Sequence, residues 1–225
     1  MSTPAPIIIA ARVDLVEQPG LIAAAEQLSR LLNAASKTLA WHVQLHFHAL
    51  DAKIAASPSP SAIVVSLLPE TGHIGEPIAV TKARWRDYLG SLQVTGAPVF
   101  VRTIFRHLPN RFRDGRIVPL LERIRRLNLM AAELSHDIGV AVIDIDRAFA
   151  HTGGRVLKTG YRLAGDLATE VSAHTTVWSL LSFGLDDVVD PDLQEKAKTL
   201  LGDLNQIAYL QTVRASAARG QNHHG

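Results

Sequence analysis

The chain has no cysteine, two methionines and only 5% aromatic residues, and each shortage removes options. Without cysteine there is no disulfide, no thiolate nucleophile and no thiolate metal site, and the redox compartment stays undecided. No uninterrupted apolar run approaches the roughly 20 residues that a membrane span needs. The start, Met1-Ser2-Thr3-Pro4-Ala5-Pro6, lacks a basic n-region, and Ile7-Ile8-Ile9 is too short for a secretory h-region. A cytoplasmic location is therefore the expectation. There is no Walker loop, no G-x-G-x-x-G, no G-x-S-x-G elbow and no H-E-x-x-H, so neither cofactor nor metal is called for.

What is present suits a globular α/β domain. The 225 residues are 47% hydrophobic and 20% charged, enough for one well-buried core. We expect the main domain over 1–188, a C-terminal helix within 189–215 and a flexible tail over 216–225. The net charge of +2 is mild, but residues 101–126 carry eight arginines against Asp114 and Glu122, while 186–203 leans acidic. Such a segment reads as an anion-facing surface or as a solvated helix face. Aromatics for base stacking are confined to Phe105 and Phe112, which argues against nucleic acid as the partner.

Apolar runs at 6–11, 62–68, 97–105 and 139–145 predict buried strands, and the partial alternation over 41–49 predicts an edge strand with one wet face. Helical spacing of apolar residues recurs over 21–32, 81–92, 117–134 and 169–185. Arg116, Arg123 and Arg126 fall largely off the stripe of the third of these helices. Asp190-Pro191-Asp192 has the N-cap and first-turn proline that open a final helix over 191–215. Strands alternating with helices imply a doubly wound, mostly parallel sheet of about five strands with helices on both faces, in the flavodoxin-like manner.

The run from Val99-Phe100-Val101-Arg102 through Arg125–Leu134 to Asp144-Ile145-Asp146, followed by Gly165-Asp166, resembles the second half of an SGNH/GDSL-type hydrolase. The resemblance covers residues 5–185 and rests on the order of elements. It implies a catalytic serine after the first strand, an oxyanion donor in a Gly-x-Asn-Asp block and an Asp-x-x-His block for the base. All three positions are altered here. Ile7–Asp14 supplies no serine, Leu67–His73 offers Glu70 in place of an asparagine donor, and Thr169 stands where the histidine belongs.

The candidate catalytic residues are accordingly Asp14, Glu70, His73, Asp166 and His174, with Arg102 and Arg106 as anion binders. Asp14 is a base, a carboxylate nucleophile or a cap. Glu70 and His73 are an acid/base pair or an ordinary loop, and Asp166 is a catalytic remnant or an N-cap. His174 lies eight residues beyond Asp166, about two helical turns away and too far for the family geometry. His42, His46 and His48 share a strand face, which suits a metal or a solvated edge. Because ligands of open α/β sheets bind outside the carboxyl ends of the strands, Asp14, Glu70, Arg102 and Asp166 are expected to line one cleft.

The leading reading is an SGNH-like protein, catalytically impaired or repurposed, in bacterial polysaccharide or cell-surface ester metabolism, meeting a small anionic or acylated substrate. The alternatives are an active esterase or acyltransferase with an unconventional catalytic set, and a scaffold whose helix 191–215 docks a protein partner or a second copy.

Overall fold

The first apolar run forms β1 (Ile7–Arg12), buried along its whole length, as a strand flanked on both sides must be. The computed structural model describes residues 6–36, 40–49, 59–108, 115, 117–155 and 158–204. Four further strands, β2 (Val43–Phe47), β3 (Ala62–Ser66), β4 (Val99–Arg102) and β5 (Ala141–Ile143), pair with it in the order β2-β1-β3-β4-β5. Every pairing is parallel, with Ile9 opposite both Leu45 and Ala62, Val64 opposite Phe100, and Arg102 opposite Ile143. The expected open parallel sheet is therefore present, and the wet strand is at its edge.

Successive side chains of a strand face opposite ways, and the two faces build two cores. Ile7, Ile9, Ala11, Val64 and Phe100 pack under α1 (Gln18–Ala35) and α5 (Asp166–Phe183). Ala10, Ile63, Val65, Val99 and Val101 pack under α2 (Ile78–Gln93) and α3 (Ile117–Ile138). Fully buried side chains such as Leu28, Leu89 and Leu127 each contribute roughly 1.5–3 kcal/mol of transfer free energy. The stripe of α3 is as the spacing predicts, with Ile124, Leu127, Ala131 and Leu134 buried, but Arg123 is buried beside it.

Three strands are shorter than their apolar runs: β3 stops at Ser66, just before the 3₁₀ turn Leu68–Gly72, and β4 and β5 stop short as well. β5 stops at Ile143 because the Asp144 side chain accepts the Arg147 N–H and opens the short helix α4 (Ile145–His151). Beyond β4, the chain remains buried but leaves the ladder. There Asn128 of α3 substitutes for a neighbouring strand, accepting from Ile104 N at 2.9 Å and donating to Ile104 O at 2.7 Å.

Helix α6 (Pro191–Leu201) opens as the sequence predicts, with Asp190 Oδ1 accepting the N–H groups of Asp192 and Leu193. It packs against α1 and α5, burying Ala197 and Gln194 and partly burying Leu193 and Leu201. The helix ends at Leu201 with Gly202 as its cap, and Leu200 is exposed and Leu204 partly buried. The other apolar positions of the expected 191–215 helix, Ile207, Ala208 and Leu210, lie outside the described residues, as does the 216–225 tail.

Candidate functional site

The order 2-1-3-4-5 reverses direction between β1 and β3, so the carboxyl ends of those two strands mark the crevice where such sheets bind ligands. The chain leaving β1 turns through a short 3₁₀ helix, Leu15–Glu17, capped reciprocally: Asp14 Oδ1 accepts from Val16 N and Glu17 Oε2 accepts from Asp14 N. This capping box holds Asp14 as a structural acceptor.

Glu17 is the hub of the crevice floor. It is buried, and its Oε1 accepts the Ser66 hydroxyl at 2.9 Å and lies 3.3 Å from Arg102 Nε. Arg102 in turn donates to Ser172 Oγ at 2.9 Å and to Thr176 Oγ1 at 3.2 Å, both on α5. Burial pulls the guanidinium below its ordinary value while Glu17 opposes that shift. One buried network thus ties the ends of β1, β3 and β4 to the helix that carries Asp166. Arg102 is only 1% exposed, so it does not face an external anion as expected from sequence. Arg106 is exposed but paired, its Nε 2.5 Å from Asp146 Oδ2.

Glu70 lies in the 3₁₀ turn Leu68–Gly72 after β3. Its Oε1 accepts from Trp85 Nε1 at 3.0 Å, and its Oε2 pairs with Arg84 at 2.6 Å. Arg123, from the opposite side, donates to the carbonyls of Glu70 and Glu76 and to Thr81 Oγ1, fastening the 70–81 segment to α3. Glu76 is held down to about 2, first by the hydrogen bond from Arg84 and then by that from Thr81. His73 does approach Glu70, Nδ1 to Oε2 at 3.3 Å, as the sequence pairing anticipates, but its side chain is 61% exposed.

Asp166 is not the N-cap. Gly165, at φ 100°, takes that position because an L side chain is strained there, and Asp166 is the exposed first helical residue, where its charge complements the helix dipole. Thr169, in the histidine position, turns back on its own helix, donating to Gly165 O at 3.3 Å. His174 is buried on the far side of α5, its Nε2 3.1 Å from Gly202 O just after α6, and burial lowers its pKa. It lines neither cavity at the strand ends.

The four residues expected in one cleft are thus divided. Glu70 lines a cavity of about 290 Å³ together with Arg12, Ser66, Arg84, Trp85 and Tyr88. Asp14 lines a second, of about 440 Å³, with Thr71, Tyr161 and Arg162. Pro69 borders both. Arg102 lies beneath them with Glu17, and Asp166 faces solvent. The division follows from charge: a guanidinium and a carboxylate at the strand ends satisfy each other internally and leave the crevice floor closed. Among the described residues no group of three His, Asp or Glu side chains is placed to hold a metal, His42, His46 and His48 included.

Sequence reasoning passed over Glu17, Ser66, Arg12 and Arg123. A local signal existed only for Glu17, in the Asp14-x-x-Glu17 spacing of a capping box. Of the arginine-rich segment, Arg102, Arg106, Arg123 and Arg126 each have a carboxylate in reach, so among the described residues it is not a single anion-facing surface. Arg111, Arg113 and Arg116 lie outside the described residues.

No family profile and no curated protein matches the chain in sequence. In structure it is similar to an acetyl xylan esterase, at TM-score 0.56 and 14% identity over 76% of this chain and 98% of that one. It is similar also to a protein from Parabacteroides merdae described as a GDSL-like lipase, at TM-score 0.56 and 11% identity over 77% and 95%. A variant of an acetyl xylan esterase from Geobacillus stearothermophilus matches at TM-score 0.55 and 12% identity over 82% and 98%. The architecture is that of an α/β protein with a single open parallel sheet. More particularly, it is the SGNH/GDSL-type hydrolase fold.

Proposed function

We propose that this protein is a repurposed member of the SGNH fold, one that does not run serine-ester hydrolysis and uses the carboxyl edge of its sheet to recognise a small anionic or acylated compound. Acyl transfer from a serine needs a nucleophilic hydroxyl within reach of a general base, both open to substrate. The observation that carries the reading is the state of Ser66. This serine ends β3 at the crevice, yet it is 2% exposed, donates to Glu17 and accepts from Leu68 N. The carboxylate it meets, Glu17, is itself buried and already engaged by Asp14 N and the Arg102 guanidinium, so it is not open to substrate. Thr169 in the histidine position supplies no imidazole. The acetyl xylan esterases among its structural neighbours support a setting in polysaccharide or cell-surface ester metabolism.

A fluorophosphonate probe and p-nitrophenyl acetate turnover test this directly. The expected result is no labelling and no turnover above buffer. Stoichiometric labelling of any serine would overturn the reading in favour of an active esterase with an unconventional catalytic set.

A further inference from the structure

Arg12 is the last residue of β1 and points, like Ala10 two positions earlier, toward the α2 and α3 face. It is 7% exposed, and a buried charge is ordinarily paired with an opposite one. Here the partner is neutral. Nη1 donates to Tyr88 Oη at 2.8 Å, the guanidinium carbon lies 5.1 Å from the Tyr88 ring centroid, and Nε is buried without an acceptor. Among the described residues no carboxylate forms an ion pair with it. Arg12 instead lines the cavity of about 290 Å³ at the β1/β3 switch point.

The charges around that cavity do not cancel. Arg84 and Arg123 are answered by Glu70 and Glu76, leaving Arg12 as a surplus positive charge. Glu70 also borders the cavity, but Trp85 Nε1 and Arg84 already occupy its oxygens, which blunts its repulsion of an anion. Tyr88 remains a neutral phenol, since burial raises its pKa more than Arg12 lowers it. Its oxygen accepts from Arg12, so its proton is available to a second acceptor. Val65, Pro69 and Trp85 supply an apolar wall, and Ser66, already bonded to Glu17 and Leu68 N, completes the lining.

We propose that this cavity is a binding site for a small monocarboxylate with an apolar body, whose oxygens take the Arg12 guanidinium and the Tyr88 hydroxyl while its body lies against Trp85. A single surplus charge fits a monoanion better than a dianion, and the guanidinium fork matches a carboxylate geometrically. The site rests on the anion-recognition part of the proposed function and names its ligand class; Ser66 borders the same cavity, but binding here does not require that serine to be reactive or inert.

Benzoate is the probe, with acetate and inorganic phosphate alongside, each titrated at constant ionic strength set with sodium chloride. The readout is the Trp85 indole N–H resonance, assigned with a Trp85→Phe variant. Benzoate should shift it saturably and more tightly than acetate or phosphate. Arg12→Gln should weaken benzoate by roughly tenfold or more, and Arg106→Gln should leave it unchanged. If Arg12→Gln fails to fold, Arg12→Lys keeps the charge, loses the fork and should still weaken binding. An unmoved indole resonance, or equal affinity in the Arg12 variants, overturns the site. Tighter binding of phosphate overturns the carboxylate assignment. Fluorophosphonate labelling would defeat the functional reading and leave this one intact, whereas failed benzoate binding does the reverse.

Discussion

Glu17 and Arg102 meet 3.3 Å apart beneath the crevice, both almost wholly buried. An ion pair of this kind repays its desolvation only with further hydrogen bonds, which Ser66, Ser172 and Thr176 provide. Removing one partner is therefore far costlier than removing both. Glu17→Leu or Arg102→Met alone should lower unfolding free energy by about 3–5 kcal/mol. The double variant should cost less than the sum of the two single changes by about 2 kcal/mol or more. Urea denaturation of the four proteins of this cycle reads this; strict additivity would show that the pair is not coupled.

A second expectation concerns the packing of α1 against α5. A Cβ on Gly20 would sit 2.3 Å from Ser172 Oγ and 2.8 Å from Ser172 Cβ. Gly20→Ala should destabilise by about 1–3 kcal/mol through overpacking. Gly90 in α2 has nothing within 4 Å of the same position, so Gly90→Ala should be neutral or stabilising by up to about 1 kcal/mol from helix propensity. Equal melting temperatures for the two variants would contradict the packing described.

The pH dependence follows from His174. Burial lowers its pKa from the ordinary 6.5, with the Gly202 carbonyl and Asp203 acting in the opposite sense. The unfolded chain therefore takes up a proton at a higher pH than the folded one does. Stability associated with the neutral imidazole is complete above about pH 6.5 and is lost as pH falls through the depressed folded value. His48 and His107 are shifted the same way, each first by burial. Urea midpoints should fall between pH 7 and pH 5, and His174→Gln should flatten part of that slope. An unchanged slope in the variant would place the acid sensitivity elsewhere.

Truncation after Asp190 tests the last helix. Ala197 and Gln194 are buried against α1 and α5, and His174 reaches Gly202 beyond the helix. Losing these contacts should lower stability by roughly 2–4 kcal/mol and expose apolar surface to a dye such as ANS. A truncated chain as stable as the whole one would favour a partner surface over residues 191–215 instead.

Strands and most helices were legible in the sequence because they depend on local pattern. Ile7–Ala11 and Ala62–Val65 are apolar without interruption, and Asp190-Pro191 announces its own cap. The site was legible only in outline. Whether Arg12, Arg102 or Arg106 faces a ligand depends on which carboxylate lies across the fold, and Arg102 meets Glu17 over a sequence separation that no local rule spans. Arg123 is read as solvent-facing from helical spacing, yet it is buried because the carbonyls of Glu70 and Glu76 need donors. His174 takes the same form in sequence as a displaced catalytic base, and only its bond to Gly202 O assigns it to packing.

The pairing of α1 with α5 also sets the order in which the molecule can be finished during synthesis. Leu21, Leu28 and Leu32 of α1 and Ile7 and Ile9 of β1 belong to the same core as Val171, Val177 and Leu180. Those last three leave the ribosome some 150 residues later, at roughly 5–20 residues per second a delay of many seconds. The opposite face, roofed by α2 and α3, can close first. A nascent chain paused before Gly165 would thus present a half-roofed sheet with a bare aliphatic face, a natural substrate for a chaperone that holds extended apolar segments.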